Sequence, residues 1–296
     1  MTKLCIVGSG FLGTQIGALS ARSGYTVSMH DISEKAFEAS KNSVEEYIKE
    51  WINTGDIKPT QIEEIKQRIS YTTSLPEAVK DADIVIEAVV EQLDIKRKVF
   101  RQLDELLSPD VIICSNSSSI KISHIEDATK HPERVLNMHF YGYPWRRGVL
   151  ELMKGSHTSD EAIEKARAYS NSIDVYPLMV LKESTGFIFN RVWRAIKKEC
   201  LKVADTGVAE FMDVDRAWMS LYNTDTGPFG MMDRIGLDVV RDIELVYYRE
   251  SGDPRDKPPK ILVDKINKGE LGVKTGKGFY NYPDPEYRKP EWLHGK

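Results

Sequence analysis

The chain of 296 residues has few cysteines, no excess of basic residues and no long apolar run. Its three cysteines lie far apart without the spacing of metal ligands, so we expect neither a disulfide framework nor a metal site. A net charge of −4 argues against a nucleic-acid-binding surface. No apolar segment approaches the ~20 residues of a membrane-spanning helix, and the N-terminal apolar run is too short for a signal peptide. These absences predict a cytoplasmic protein without a nucleic-acid or membrane partner.

Short apolar runs alternate with helix-like segments through the first half of the chain. This alternation is typical of βαβ units in a mostly parallel sheet. From about residue 186 onward only helical periodicity remains. We therefore predict an α/β fold with a doubly wound sheet over residues 1–183, followed by an all-helical C-terminal domain over residues 184–296. In the second domain, residues 231–248 are predicted to form one helix, and the tail 282–296 is expected on the surface.

A long polar segment, residues 33–69, exceeds the length of one crossover helix. We predict two helices joined by a turn at residues 53–56, where an Asn-Thr-Gly-Asp sequence interrupts the periodicity. This excursion from the sheet is a candidate arm for contacting a substrate.

A glycine-rich motif, GSGFLG at residues 8–13, joins the first predicted strand to a helix. Gly8 permits a tight turn, Gly10 lets the backbone approach a pyrophosphate, and Gly13 lets the helix pack on the strand. The helix N-terminus then offers free N–H groups to phosphates. Asp31 ends the second strand, where its carboxylate would accept the ribose hydroxyls and repel a 2′-phosphate. The motif predicts a Rossmann-type domain that binds NAD rather than NADP, with FAD as a less favoured alternative.

Polar residues follow three predicted strands at the edge where ligands bind in such sheets. Ser118 lies in a serine run, His139 ends a strand, and Glu151 lies in the next strand. Histidine titrates near neutral pH and can move the proton that alcohol–ketone interconversion requires. A connecting loop would bring Glu151 beside His139, where a carboxylate fixes the tautomer, and Ser118 can hydrogen-bond the reacting oxygen.

Each of these residues, taken singly, also has a structural interpretation. A serine run is often a turn or a cap, and a lone histidine or glutamate is more often structural or exposed. A hydrolase is disfavoured because the chain has no G-x-S-x-G motif. Their combination downstream of a dinucleotide motif predicts a dehydrogenase.

The motifs together resemble the L-3-hydroxyacyl-CoA dehydrogenase family over nearly the whole chain. This resemblance implies that His139 is the acid/base, that Glu151 orients it, and that Ser118 contacts the substrate oxygen. It also implies that Asn190 helps hold the substrate and the active geometry. The positions matched near the cofactor are Glu91, Lys96, Asn116 and Lys274. Phe11 and Leu12, within the glycine motif, are also candidate cofactor-binding residues. The segments that carry the resemblance are IEAVVEQ (86–92), SNSSS (115–119), LELM (150–153), TGFIFNR (185–191) and KTGKGFY (274–280).

One loop departs from the family. An Asn-Pro pair usually follows the active-site His-Phe, but here Gly142 stands where asparagine is expected. Trp145, Arg146 and Arg147 follow, in a loop that is normally mostly apolar in the family. The two arginines are either solvated surface charges or groups that select an anionic substrate.

The predicted function is reversible, NAD-dependent oxidation of a (3S)-3-hydroxyacyl-CoA to the 3-oxoacyl-CoA, as in an oxidoreductase of fatty acid metabolism. A dehydrogenase of the same fold acting on a free 3-hydroxy acid or another polar non-CoA alcohol is the first alternative. A non-catalytic NAD-binding protein is the second. The resemblance further implies a homodimer through the helical domain.

Overall fold

The computed structural model describes residues 2–295, which divide into two compact units at residues 188 and 189. The first unit is built on one eight-stranded sheet with the order β3-β2-β1-β4-β5-β6-β7-β8. Adjacent strands are parallel except for β6 and β7, which are antiparallel. The strands are β1 (Lys3–Val7), β2 (Thr26–His30), β3 (Ile69–Thr72), β4 (Ile84–Glu87), β5 (Ile112–Ser115), β6 (Val135–Phe140), β7 (Val149–Lys154) and β8 (Tyr176–Val180).

Helices cover both faces of this sheet, which explains why its strands are nearly continuous apolar runs. In β1, Leu4 and Ile6 pack into the cluster on one face, and Cys5 and Val7 pack into the cluster on the other. The strand order changes direction between β1 and β4, and this point is where ligands bind in doubly wound sheets. The helices of the unit are α1 (Phe11–Arg22), α2 (Glu34–Thr54), α3 (Ile62–Gln67), α4 (Leu75–Ala78), α5 (Leu93–Leu106), α6 (Pro144–Arg147) and α7 (Asp160–Ser172).

The second unit is helical and packs around a core of its own, which includes Phe229 and Met232. Buried Asp215 accepts hydrogen bonds from the backbone N–H groups of Phe229 (2.8 Å) and Gly230 (3.0 Å) at the start of one helix. It also accepts one from the Tyr280 hydroxyl at 2.9 Å, and burial raises the pKa of Asp215 to about 6. The helices are α8 (Phe189–Asp205), α9 (Phe211–Tyr222), α10 (Pro228–Ile235), α11 (Leu237–Ser251) and α12 (Lys260–Asn267).

The fold class is confirmed, whereas two local predictions were wrong and one strand was missed. Strand β3 was not predicted, because this short, partly exposed segment lacks the apolar run of a central strand. The single helix predicted over 231–248 is broken at Gly236, whose φ of 101° favours glycine. The tail does not lie wholly on the surface, since Tyr287 and Trp292 are buried against Tyr280. Its last residue, 296, lies outside the described residues.

Within residues 2–295 no helix combines the length and the apolar character needed to cross a bilayer. The domain break predicted after residue 183 falls a few residues before the division between the compact units. That break stays a prediction.

Candidate active site

The glycine motif leads from β1 into α1, and its backbone is packed too tightly for side chains at two positions. A Cβ on Gly8, whose φ is +110°, would lie 2.6 Å from the Ala88 carbonyl oxygen. A Cβ on Gly13 would lie 1.9 Å from the carbonyl oxygen of Gly8. At Gly10, by contrast, a Cβ would meet nothing within 4 Å, and no side chain caps the helix there. The first turn of α1 therefore presents its N–H groups to open space, as binding of a pyrophosphate requires.

Asp31 follows β2 directly and is oriented by the same motif. Its Oδ2 accepts hydrogen bonds from the backbone N–H of Ser9 at 2.9 Å and from the Ser9 hydroxyl at 3.0 Å. Its Oδ1 accepts one from the N–H of Ser33 at 3.1 Å. The carboxylate is only partly buried, so it is held in place while remaining open to a ribose. This geometry fits the dinucleotide.

Exposed apolar side chains follow three of the strands at this edge of the sheet. They are Phe11 after β1, Ile32 after β2 and Val90 after β4, and Ile32 is 93% exposed. Large apolar side chains left exposed at the carboxyl edge of such a sheet are typical of a binding site. The sequence analysis named Phe11 and missed the other two, although a large apolar residue beside Asp31 was a usable signal.

His139 and Glu151 form a buried hydrogen-bonded pair at the same edge. They stand opposite each other in the antiparallel β6–β7 register, and His139 Nδ1 lies 2.8 Å from Glu151 Oε2. The other carboxylate oxygen accepts the backbone N–H of Ile188 at 2.8 Å. The imidazole packs between the rings of Tyr141 and Phe187, with centroids 4.8 and 5.2 Å away. Since Nδ1 is engaged by the carboxylate, Nε2 is the nitrogen left to exchange a proton.

Ser118 is held by its neighbours in the loop after β5. Glu91 Oε1 accepts hydrogen bonds from the N–H (3.0 Å) and hydroxyl (2.8 Å) of Ser119 and from the hydroxyl of Ser117. Ser118 lies between these two fixed residues and is itself exposed. Burial alone would raise the pKa of Glu91, but nearby Lys96 and the serine hydroxyls lower it, so the carboxylate is ionised.

Lys96 lies inside the unit instead of facing a ligand. Only 1% of its surface is exposed, and its Nζ lies 2.7 Å from Glu87 Oε1 and 3.2 Å from Glu91 Oε2. Glu87, at the end of β4, also accepts the hydroxyl of Ser115 at 2.7 Å, and burial raises the pKa of Glu87. Lys96 thus ties the loop after β4 to the serine loop. The sequence analysis missed Glu87, although an acidic residue at the end of a buried apolar strand was a signal.

Asn116 links the serine loop to the strand of the histidine. Its Oδ1 accepts the backbone N–H of Phe140 at 2.8 Å. It is buried, so this amide supports the loop geometry beside His139.

Two of the predicted site residues belong to the second unit. Asn190 lies in the first turn of α8 and is half-buried. The Nζ of Lys274 lies 2.6 Å from both carboxylate oxygens of Asp238. The roles of Asn190 and Lys274 stay predictions.

The loop of residues 141–147, which departs from the family, is hydrogen-bonded to α2. Arg146 forms a bidentate ion pair with Glu50, and both N···O distances are 2.6 Å. Trp145 Nε1 donates a hydrogen bond to the same carboxylate at 2.9 Å. The guanidinium also lies 4.5 Å from the centre of the Tyr143 ring. Arg147 is exposed, and among the described residues no ion pair engages it. Of the two arginines, Arg147 is the one open to an external anion.

A doubly wound sheet with this glycine motif and a buried His–Glu pair at its carboxyl edge is typical of a dinucleotide-dependent oxidoreductase. Residues 3–184 match the 3-hydroxyacyl-CoA dehydrogenase NAD binding domain, and residues 186–282 match the C-terminal domain of the same enzymes. The chain belongs to the 3-hydroxyacyl-CoA dehydrogenase family. The predicted family, enzyme class and NAD cofactor are confirmed.

Named relatives resemble the chain over almost its whole length. It is 34% identical to a 3-hydroxybutyryl-CoA dehydrogenase of Clostridioides difficile over 280 residues, covering 95% of this chain and 99% of the relative. It is 29% identical over 286 residues to the mitochondrial hydroxyacyl-coenzyme A dehydrogenase of Homo sapiens, covering 94% and 90%. The structure of (S)-3-hydroxybutyryl-CoA dehydrogenase from Ralstonia eutropha matches with a TM-score of 0.90 at 32% identity, covering 96% and 100%. A diketoreductase structure matches with a TM-score of 0.83 at 28% identity, covering 95% and 99%.

Proposed function

We propose that the protein interconverts (3S)-3-hydroxyacyl-CoA and 3-oxoacyl-CoA with NAD, and that His139 is the acid/base. The observation that carries this proposal is the buried His139–Glu151 pair at the sheet edge that also holds the glycine motif. Bound NAD supplies the acceptor for the hydride that leaves the substrate carbon.

The chain's own residues move and hold the proton. In the oxidation direction, Nε2 of His139 takes the proton of the substrate hydroxyl, while Nδ1–H donates to Glu151. The carboxylate stabilises the imidazolium that forms and prevents the ring from adopting the other tautomer. Ser118, exposed between its fixed neighbours, hydrogen-bonds the reacting oxygen. The role assigned to Asn190 is to hold the substrate.

We assign cofactor binding mainly to the glycine motif after β1 and to Asp31 after β2. The N–H groups of Phe11, Leu12 and Gly13 would hold the pyrophosphate, and the absence of a side chain at Gly10 would let it approach the backbone. Asp31 accepts the ribose hydroxyls and disfavours a 2′-phosphate. Glu91, Lys96 and Asn116 shape the site through the serine loop. Lys274 is also assigned to cofactor binding.

A second function, oxidation of a free 3-hydroxy acid, is favoured by one feature. Arg147 is exposed in the loop that follows His139, whereas Arg146 is occupied by Glu50. A guanidinium in this position suits a carboxylate or a phosphate. The chain is also structurally similar to a diketoreductase described as acting on dicarbonyl compounds.

We also propose a cytoplasmic homodimer that forms through the helical unit. Large apolar side chains are exposed on its helices, among them Val192, Leu221 and Tyr222. The cysteines Cys5 and Cys114 are buried and unbridged, as in a reducing compartment.

The two catalytic functions are separated by following NADH consumption with acetoacetyl-CoA and, in parallel, with free acetoacetate. We expect turnover with acetoacetyl-CoA, and turnover with the free acid alone would reject the leading proposal. NADH binding without turnover on either substrate would favour the non-catalytic alternative.

The arginine loop is tested with Arg146→Ala and Arg147→Ala. If Arg147 binds an anionic group of the substrate, Arg147→Ala should raise the KM for that substrate more than Arg146→Ala does. Equal KM values in the two variants would mean that Arg147 is a solvated surface charge.

A further inference from the structure

The loop of residues 141–147 has an unusual backbone conformation at Tyr143. This residue has φ 57° and ψ 62°, in the left-handed region that a bulky side chain rarely adopts. Such a conformation costs free energy and persists only where the surrounding contacts impose it. One of these contacts comes from α1, because the backbone N–H of Tyr143 donates to Gln15 Oε1 at 2.6 Å. The conformation of the loop therefore depends on elements outside it.

A second contact comes from Glu50, near the end of α2. Its carboxylate accepts two N–H groups of the Arg146 guanidinium and the Nε1–H of Trp145. Only 21% of the Glu50 side chain is exposed, and its hydrogen bonds to Arg146 lower the pKa of its carboxyl group, so the pair is ionised at neutral pH. A bidentate pair fixes the orientation of both partners, so Glu50 holds the loop to α2.

A cluster of aromatic rings links this ion pair to the glycine motif. The Arg146 guanidinium lies 4.5 Å from the centre of the Tyr143 ring. That ring packs edge-to-face on Phe11, with centroids 5.8 Å apart and planes at 80°. Trp145 packs against the same tyrosine at 5.7 Å and against Trp51 of α2 at 5.1 Å. Rings in these arrangements attract one another, so the position of the loop affects the position of Phe11.

Phe11 is the residue at which the loop meets the proposed cofactor site. It is the first residue of α1, and its N–H is one of those assigned to the pyrophosphate. Its side chain is 60% exposed, and the loop contacts it through Tyr143. Gly142 also lies beside it, since a Cβ added there would be 3.4 Å from the Phe11 ring. A side chain that is already held in place costs less conformational entropy when a ligand binds.

We propose that Glu50 is a positioning residue for the cofactor: through Arg146 it holds the 141–147 loop against Phe11 and keeps the first turn of α1 ordered for NAD(H). The inference rests on the proposed placement of the pyrophosphate at this turn. It requires no particular acyl substrate, because it concerns the free enzyme and its cofactor. An ion pair with a purely structural role would instead stabilise the fold without changing the affinity for NADH.

The first measurement is the NADH dissociation constant of Glu50→Ala, obtained by fluorescence titration. Glu46→Ala is the matched control, because Glu46 lies one turn earlier on α2 and pairs with Lys49 of the same helix at 2.8 Å. We expect the dissociation constant to rise about fivefold in Glu50→Ala and to stay at the wild-type value in Glu46→Ala. Unchanged affinity in Glu50→Ala, even with a lower unfolding temperature, would overturn the proposal.

The second measurement is a double-mutant cycle with Phe11→Ala. Glu50 and Phe11 lie on different helices, so independent effects on NADH affinity would simply multiply. If the loop transmits the effect, Glu50→Ala should change the dissociation constant less than about twofold when Phe11 is already alanine. An effect as large as in the wild-type background would overturn the proposal.

Gly10→Ala tests the placement of the pyrophosphate separately, because the added Cβ meets no protein atom within 4 Å. It should weaken NADH binding by occupying the space through which the pyrophosphate approaches the backbone. Unchanged affinity in Gly10→Ala would refute that placement. The role of Glu50 is read from the cycle with Phe11→Ala, so the two failures are distinguishable, and neither measurement requires turnover.

Discussion

Replacing Glu151 by glutamine tests the acid/base assignment most directly. The substitution removes one charge from inside the sheet and leaves the shape of the side chain nearly unchanged. In the wild type, Oε1 accepts the N–H of Ile188 and Oε2 accepts Nδ1–H of His139, both at 2.8 Å. Glutamine has one acceptor oxygen, and if Ile188 retains it, an NH2 group faces Nδ1. The imidazole must then carry its proton on Nε2 and cannot take one from the substrate.

The expected loss of kcat/KM in Glu151→Gln comes from two effects of the contact between Glu151 and His139. A positioned general base contributes about 10²–10⁴-fold, and the charge that stabilises the imidazolium disappears as well. We expect kcat/KM of Glu151→Gln to fall by about 10³-fold, which corresponds to about 4 kcal/mol of transition-state stabilisation. NADH affinity should stay the same, because Glu151 lies on β7 and the glycine motif follows β1.

The assay is the initial rate of NADH oxidation with acetoacetyl-CoA, with NADH affinity measured by fluorescence titration. Glu126→Gln is a matched control, because Glu126 is also buried and pairs with a histidine, His157, at 3.1 Å. It should lower the unfolding temperature without a comparable loss of kcat. A loss in Glu151→Gln below tenfold, with NADH affinity unchanged, would refute the role assigned to the pair.

Three further outcomes are expected. Gly13→Ala should weaken NADH binding more than tenfold in a fluorescence titration, because its Cβ would lie 1.9 Å from the Gly8 carbonyl oxygen; wild-type affinity would contradict this packing. Asp31→Asn should reduce the preference for NADH over NADPH about tenfold, and an unchanged ratio of dissociation constants would remove Asp31 from cofactor selection. Burial raises the pKa of Asp215 from 3.8 to about 6, so its stabilising contribution is present below pH 3.8 and is lost as pH rises through 6. The free energy of unfolding of Asp215→Asn should therefore lie below that of the wild type by an amount that narrows between pH 3.8 and about 6, and a constant difference across this range would exclude the titration.

Much of the cofactor site was predictable because its signals are local. Gly8, Gly13 and Asp31 lie close together along the chain, and each has a steric or electrostatic reason that acts over a few residues. The approach of His139 to Glu151 was also predictable, because a short loop between neighbouring strands leaves little choice of register. The roles assigned to these residues stay predictions that the experiments above address.

The partners of other side chains could not be read from the sequence. Glu91 and Lys96 were predicted near the cofactor, but the structure shows them fixing the serine loop, together with Glu87. Arg146 was a candidate substrate contact, but in the structure it forms a bidentate ion pair with Glu50, which lies 96 residues away along the chain. Such partners depend on how distant elements pack, which periodicity does not encode.

The sequence by itself therefore determined the family, the doubly wound sheet with its helical second half, and the NAD motif. These features follow from apolar periodicity and from turn chemistry, both of which act over short stretches of chain. Only the tertiary structure decided that Lys96 is buried and that Arg146, not Arg147, pairs with Glu50. The physical reason is that a polar side chain takes its partner from whatever the folded chain brings within about 3 Å, and burial makes that choice energetically decisive.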